Sequence, residues 1–230
     1  MFQTFKTYFS LIKFSHTVFA LPFALIGFSL AIHTGEAQFN FKKFILVVLC
    51  MVFARSAAMA FNRYVDRKFD QKNPRTAFRE IPAGIISPPS ALLLVICCCL
   101  MFIICTYFIN ALCFYLSPVA LFVVLGYSYT KRFTPLCHLI LGLGLSLAPI
   151  GAYIALTERF ATLPILFSVL VFLWVSGFDI IYALQDEDFD RSQNLKSIPV
   201  FFGKKNALRL SEVFHTIAGL IVVYIYFFAK

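Results

Sequence analysis

The sequence runs to 230 residues, of which 60% are apolar and only 13% charged, with a mean hydropathy of +0.84. A charged fraction about half the ~25% usual in soluble domains excludes an ordinary water-soluble globule and predicts an all-α, polytopic membrane bundle whose surroundings are the lipid bilayer. The net charge of +9 would suggest nucleic acid in a soluble protein, but here Lys and Arg are sorted by loop, so no nucleic-acid partner is expected.

A bilayer core of ~30 Å requires about 20 apolar residues per helix. Such stretches fall at roughly 14 to 33, 43 to 65, 90 to 108, 110 to 129, 134 to 156, 161 to 184 and 207 to 229. The first continues without a small-residue cleavage site, so it is expected to be a span and not a cleavable signal. With the N-terminus inside, fifteen cations fall on the inner side against four outside (Lys42, Lys43, Arg159 and Lys230), and Arg55 is left within a span. The positive-inside rule then predicts a cytoplasmic N-terminus and cytoplasmic large loops in an inner membrane. All seven cysteines lie in apolar stretches without paired CxxC spacing, as small buried hydrophobes do. No repeat, linker or low-complexity segment divides the chain, so residues 1–230 are expected to form a single domain.

The second apolar stretch closes on FNRYVDRKFDQ, residues 61–71. On a helix turning ~100° per residue, Asn62, Asp66 and Asp70 lie within an arc of about 80°. The sixth stretch runs into GFDIIYALQDEDFDRSQN, where a continuous helix would place Asp179, Asp186 and Asp190 within about 40° of one another and Tyr182 about 60° to the side. By the charge count both rows end on the same membrane side. Two oxygen-ligand rows facing each other across a bundle suit Mg²⁺, which is usually held by one or two carboxylates together with substrate phosphates. The surrounding Arg and Lys would defeat a site for a bare cation, but they suit a metal-bound diphosphate whose remaining oxygens need donors. One such row would read more simply as a solvated face with i,i+4 salt bridges. Two rows, with Asp179 still inside apolar sequence, favour a site.

These residues resemble a known family. NRYVDRKFD matches the first aspartate motif, NxxxDxxxD, of the UbiA superfamily of intramembrane prenyltransferases, and DIIYALQDEDFD matches its second, DxxYAxxDxxxD. Beyond the motifs, IKFSHTVFALPFALIG, ARSAAMAFNRYVDRKFDQKNPRTAFREIP, GYSYTKRFTPLCHLILGLGLSLAPIGA and LKSIPVFFG are similar to the 4-hydroxybenzoate polyprenyltransferase branch, especially its MqnP-like subgroup assigned to menaquinone synthesis by the futalosine route. The resemblance implies a helical bundle around a central cavity, and magnesium-dependent transfer of a polyprenyl group from polyprenyl diphosphate to an aromatic carboxylic acid of the 4-hydroxybenzoate type, in ubiquinone or menaquinone biosynthesis. Nine spans are usual in the family, so this chain is expected to lack the last two.

By the same resemblance, Asp66 and Asp70 hold one Mg²⁺ with Asn62 close by, and Asp186 and Asp190 hold the other, Asp66 and Asp186 serving catalysis. Asp179 either supports the second metal or takes the proton lost from the aromatic ring. Lys131 and Arg132, in YSYTKRF, and Arg63, Arg75 and Arg79 around the first motif are candidate diphosphate clamps, Lys131 matching best; a purely topological role is their alternative. Tyr182 is a candidate donor to phosphate or acceptor, or else an interfacial aromatic. Arg55 precedes Asn62 by seven residues, which places it within about 20° of that row and roughly 10 Å deeper. A cation there is costly to insert, so it is expected to bind the acceptor's carboxylate or to form a structural ion pair with Asp179. His16 and His138 read as hydrogen-bonded packing histidines before proton shuttles. Gly142, Gly144, Ser146 and Gly151 are expected to allow close helix packing.

The rival readings are prenylation of 1,4-dihydroxy-6-naphthoate, a membrane transporter with intramembrane charges, and an inactive truncated relative. A CDP-alcohol phosphotransferase also carries aspartates at membrane ends, but its DG and AR elements do not occur at the required spacing.

Overall fold

The computed structural model describes residues 2–228, with side chains at all of these except 2–6, 14–17 and 228; the side chain of His16 therefore lies outside the described residues. Among the described residues there are helices and no strands: α1 (Phe2–Leu11), α2 (Phe14–His33), α3 (Phe41–Lys72), α4 (Pro88–Ile109), α5 (Ala111–Thr130), α6 (Cys137–Thr157), α7 (Thr162–Ala183), α8 (Glu187–Ser192) and α9 (Ile198–Phe228), with a 3₁₀ turn at Leu184–Asp186. Among the described residues, six helical stretches are long and apolar enough to cross a membrane: Phe41–Lys72, Pro88–Ile109, Ala111–Thr130, Cys137–Thr157, Thr162–Ser192 and Ile198–Phe227. The first expected span, 14 to 33, coincides with α2 (Phe14–His33), whose stretch Val18–His33 is apolar. The all-helical membrane architecture is thus as expected.

Local chemistry sets the helix ends. Ser87 starts α4 by accepting the Ser90 N–H on its Oγ at 3.2 Å, and Pro88 and Pro89 occupy the first turn, where a missing N–H costs nothing. At the other end Asn110 is extended (φ −171°, ψ 168°). Its Oδ1 accepts the Cys113 N–H at 2.8 Å, so a single residue both breaks α4 and caps α5.

The chain gathers into two compact units. One comprises the chain up to Pro22 with Phe41–Ser128. There α3 packs along α4 around Leu11, Ala60, Ile81, Ile86, Ala91 and Val95. The segment between α3 and α4 belongs to this core: Asn73, Thr76 and Glu80 are buried with it.

The other unit comprises Phe23–Asn40 and the chain from Tyr129 onward, with α7 between α6 and α9. Small residues set its helix contacts, as expected where hydrocarbon gives no hydrophobic drive between helices. A Cβ on Gly142 would lie 2.1 Å from Ser176 Oγ, and one on Gly177 would lie 2.7 Å from the His215 ring. Ser211 Oγ donates to the Gly177 carbonyl at 2.8 Å. Gly142 therefore fills the packing role expected of it. Gly151 does not, for nothing lies within 4 Å of where its Cβ would be. Beyond the C-terminal end of α6, Glu36 accepts from the Tyr153 hydroxyl and from Arg159 Nε at 3.0 Å, and these donors hold its carboxyl below the ordinary value of 4.5.

The second aspartate motif departs from the expected straight helix. The helical path tightens to 3₁₀ at Leu184–Asp186 before α8 begins at Glu187. Asp179, Asp186 and Asp190 consequently stand on three successive elements, and the 40° arc calculated for one regular helix does not describe them.

Candidate functional site

The last three turns of α3 carry the first motif. Asn62 and Asp66, four residues apart and so one above the other, are joined by a hydrogen bond from Asn62 Nδ2 to Asp66 Oδ2 at 3.1 Å. Both are half-buried. One turn on, Asp70 is only 6% exposed, and its two oxygens lie 2.8 and 3.0 Å from Arg79 Nη1. The chain between them is folded back by Thr76, whose hydroxyl donates to the Asp70 carbonyl at 3.1 Å, and by Asn73, whose side-chain oxygen accepts the Arg75 N–H at 2.9 Å.

Arg63 points away from solvent: it is 2% exposed and ion-paired with Glu80, which also accepts from Ser10 Oγ at 2.5 Å. This arrangement ties α1, α3 and the α3–α4 segment together. Glu80 was not singled out from sequence. A lone acid within the basic run RTAFREIP was its signal, but its partner lies 17 positions away, beyond the reach of helical spacing. Arg75 and Arg55 are half-buried. Arg67 donates to the Tyr64 carbonyl at 2.6 Å and lies 4.6 Å from the centre of the Tyr64 ring, a cation–π contact.

In the other unit Lys131 follows the last residue of α5, and its Nζ lies 2.6 Å from Asp190 Oδ1. The carboxylate is 1% exposed, the ammonium side chain 33%. The segment around Lys131 is held from the other side by Lys196, whose N–H donates to the Lys131 carbonyl at 2.7 Å and whose Nζ donates to the Phe133 carbonyl at 3.0 Å. Arg132 lies 5.3 Å from the Tyr129 ring centre. Asp186, in the 3₁₀ turn, is half-buried, and Tyr182 is exposed.

Asp179, on the last turns of α7, meets His138 Nδ1 at 2.6 Å. The Ile198 N–H donates to His138 Nε2 at 3.4 Å, which leaves the ring proton on Nδ1, directed at the carboxylate. His138, 3% exposed, is thus a hydrogen-bonded histidine packed among helices, as expected, with the Asp179 carboxylate as its partner.

Each unit thus sets carboxylates beside cations, the two kinds of group that a metal-bound polyanion requires. Among the described residues no three of His, Cys, Asp and Glu gather as a group that could hold a metal ion, so these residues form no full cage of the kind zinc takes. Magnesium needs less, one or two carboxylates with phosphate and water completing its shell. In one unit half-buried Asp66, with the Asn62 amide oxygen, and in the other half-buried Asp186 each offer a carboxylate of that kind.

The family model for the UbiA prenyltransferase family matches residues 20–230. A 4-hydroxybenzoate octaprenyltransferase of Aliivibrio salmonicida (strain LFI1238) is 32% identical over 178 residues, 77% of this chain and 62% of the relative. One from Francisella tularensis subsp. mediasiatica (strain FSC147) is 27% identical over 221 residues, 96% of this chain and 78% of the relative. This chain thus spans less than two thirds of the length of the Aliivibrio relative. Among solved structures, the apo structure of a UbiA homologue from Aeropyrum pernix K1 superposes with a TM-score of 0.83 at 36% identity, covering 90% of this chain and 77% of that one. A homologue from Archaeoglobus fulgidus, bound to DMAPP and Mg²⁺, shares the fold with a TM-score of 0.81 at 22% identity, covering 97% of this chain and 79% of that one. With both aspartate motifs at helix ends and the match running over nearly its whole length, the chain belongs to the UbiA prenyltransferase family.

Proposed function

We propose that this chain transfers a polyprenyl group from polyprenyl diphosphate to an aromatic carboxylic acid of the 4-hydroxybenzoate type, with Mg²⁺ as cofactor, the two units serving one prenyltransferase domain. One observation carries the reading: in each unit an aspartate motif closes a spanning helix beside a cation already fixed by a carboxylate, Arg79 on Asp70 and Lys131 on Asp190. Acid for a metal next to base for a phosphate is the chemistry of a metal-bound diphosphate. The names of the Aliivibrio and Francisella relatives support the acceptor class, and the ligands of the Archaeoglobus homologue support the donor and the ion.

Breaking the allylic C–O bond leaves an allyl cation and a diphosphate. Asp66 with Asn62 in one unit and Asp186 in the other would each hold a magnesium ion, which would supply charge neutralisation at the phosphate oxygens. Lys131 and Arg79, with Arg75 and Arg132, take up remaining phosphate oxygens. Arg63 acts through Glu80 by holding the α3–α4 segment. Arg55 takes the acceptor's carboxylate, where a planar fork gives a defined ring orientation. Asp179, aimed by His138, accepts the proton that the ring loses on substitution, and Tyr182 lies beside it in sequence as a donor to phosphate or acceptor. The loops that carry these groups face the cytoplasm of an inner membrane, as the distribution of Lys and Arg supports.

The test offers 4-hydroxybenzoate and 1,4-dihydroxy-6-naphthoate side by side to purified membranes with polyprenyl diphosphate and Mg²⁺. Prenylated hydroxybenzoate should form with release of diphosphate, and Asp66→Ala or Asp186→Ala should abolish it. Product on the naphthoate alone would move the acceptor to the futalosine route. No diphosphate release from a folded chain would leave a carrier or an inactive relative, and turnover without any divalent ion would refute the mechanism.

A further inference from the structure

We infer that Asp70 and Asp190, the last aspartate of each motif, are positioning residues for Arg79 and Lys131 and not ligands of the metal. This deepens the proposed function and rests on it. The two units show the same asymmetry. Asp70 is 6% exposed with both oxygens on Arg79 Nη1 at 2.8 and 3.0 Å, while the Arg79 side chain is 24% exposed. Asp190 is 1% exposed, while Lys131, 2.6 Å from it, is 33% exposed. In both pairs the carboxylate lies inside and the cation reaches outward.

A hard divalent ion takes oxygens that can be approached together with waters and phosphate oxygens. Asp70 has both oxygens on a guanidinium and Asp190 has Oδ1 beside an ammonium; closed off from solvent, neither carboxylate can be approached together with waters and phosphate oxygens. What a buried carboxylate does offer is a fixed position for a cation: it cancels the cost of holding the charge beside apolar helices and removes the rotamer freedom of a long side chain. Each site has a second anchor. Thr76 Oγ1 on the Asp70 carbonyl fixes the turn leading to Arg79, and the Lys196 N–H on the Lys131 carbonyl fixes the backbone of Lys131. The four-residue step from Asp66 to Asp70 thus separates two functions on one helix face, a half-buried metal carboxylate and a buried anchor for a phosphate donor.

Mn²⁺ titration of the purified full chain, followed by electron paramagnetic resonance, separates the two roles without turnover, and pyrophosphate titration at saturating Mn²⁺ reads the cations. Asp66→Asn and Asp186→Asn should weaken Mn²⁺ binding about tenfold or more. Asp70→Asn and Asp190→Asn should leave Mn²⁺ affinity within about twofold and lower pyrophosphate affinity about as much as Arg79→Met and Lys131→Met do. The double variants should be no worse than the cation variants alone. Loss of Mn²⁺ affinity in Asp70→Asn or Asp190→Asn equal to that in Asp66→Asn overturns the inference and leaves the proposed function standing. Should Asp190→Asn fail to fold, Lys131→Met decides: unchanged Mn²⁺ affinity supports the anchor, and a severalfold gain, as a released ligand would give, overturns it. If the unaltered chain binds neither Mn²⁺ nor pyrophosphate, the proposed function fails and takes this inference with it.

Discussion

His138 connects three helices through one imidazole. The ring is rooted at the start of α6, its Nδ1 faces Asp179 on α7 at 2.6 Å, and its Nε2 receives the first N–H of α9, from Ile198, at 3.4 Å. Replacing it with Leu would leave a buried N–H without an acceptor and a carboxylate without its donor, a loss of about 1–3 kcal/mol for each orphaned group. His138→Leu should therefore lower the thermal midpoint of the detergent-solubilised protein, and His138→Gln, whose amide can both donate and accept, should recover part of the loss. A Leu variant as stable as the unaltered chain would show that the contact is idle. The sequence marks His138 only as a histidine in an apolar stretch, because its partner is 41 positions away. The same holds for Arg63 and Glu80. The i,i+4 pair Asn62 and Asp66 was readable because helical geometry alone brings those two together.

At the scale of elements, hydropathy located the helices and could not orient them. A membrane helix is apolar on every side, so no stripe tells its packed face from its lipid face. Small residues carry that information instead, and only in part: Gly142 and Gly151 look alike in LILGLGLSLAPIGA, yet one abuts Ser176 and the other faces open space. The tightest approach, Gly27 of α2 against the α6 backbone at Pro149, carried no mark in sequence. A Cβ on Gly27 would lie 1.8 Å from the Pro149 carbonyl oxygen, a distance that only moving one helix can relieve. Gly27→Ala should cost about 1–3 kcal/mol, as overpacking does. Gly151→Ala should be neutral or slightly stabilising, since Ala is the better helix former. Thermal unfolding of the pair in one detergent checks both, and equal midpoints for the two variants would contradict the packing described. The tightening of the helical path after Ala183 escaped sequence reading for a related reason: ALQDED contains no Gly or Pro to announce it, so periodicity was carried through a point where the path changes.

At the scale of the whole molecule, the apolar helices α2 to α7 and α9 define loops whose charges are unequal, and that inequality predicts orientation. The end of α3 and the segments after α3, α5 and α7 contain Lys72, Arg75, Arg79, Lys131, Arg132, Arg191 and Lys196, whereas the start of α3 and the segments after α2 and α6 contain only Lys42, Lys43 and Arg159. Cytoplasmic loops retain Lys and Arg because positive charge resists translocation, and both aspartate motifs close helices on the basic side. A membrane-impermeant maleimide should therefore label Gln38→Cys, between α2 and α3, in intact cells. It should reach Gln71→Cys, at the end of α3, only after permeabilisation. Both positions are exposed. The native cysteines lie within helices, and the unaltered chain supplies their background. Labelling in the reverse order would place the aspartate motifs on the outer side, away from a diphosphate made in the cytoplasm, and would remove the orientation on which the proposed reaction depends.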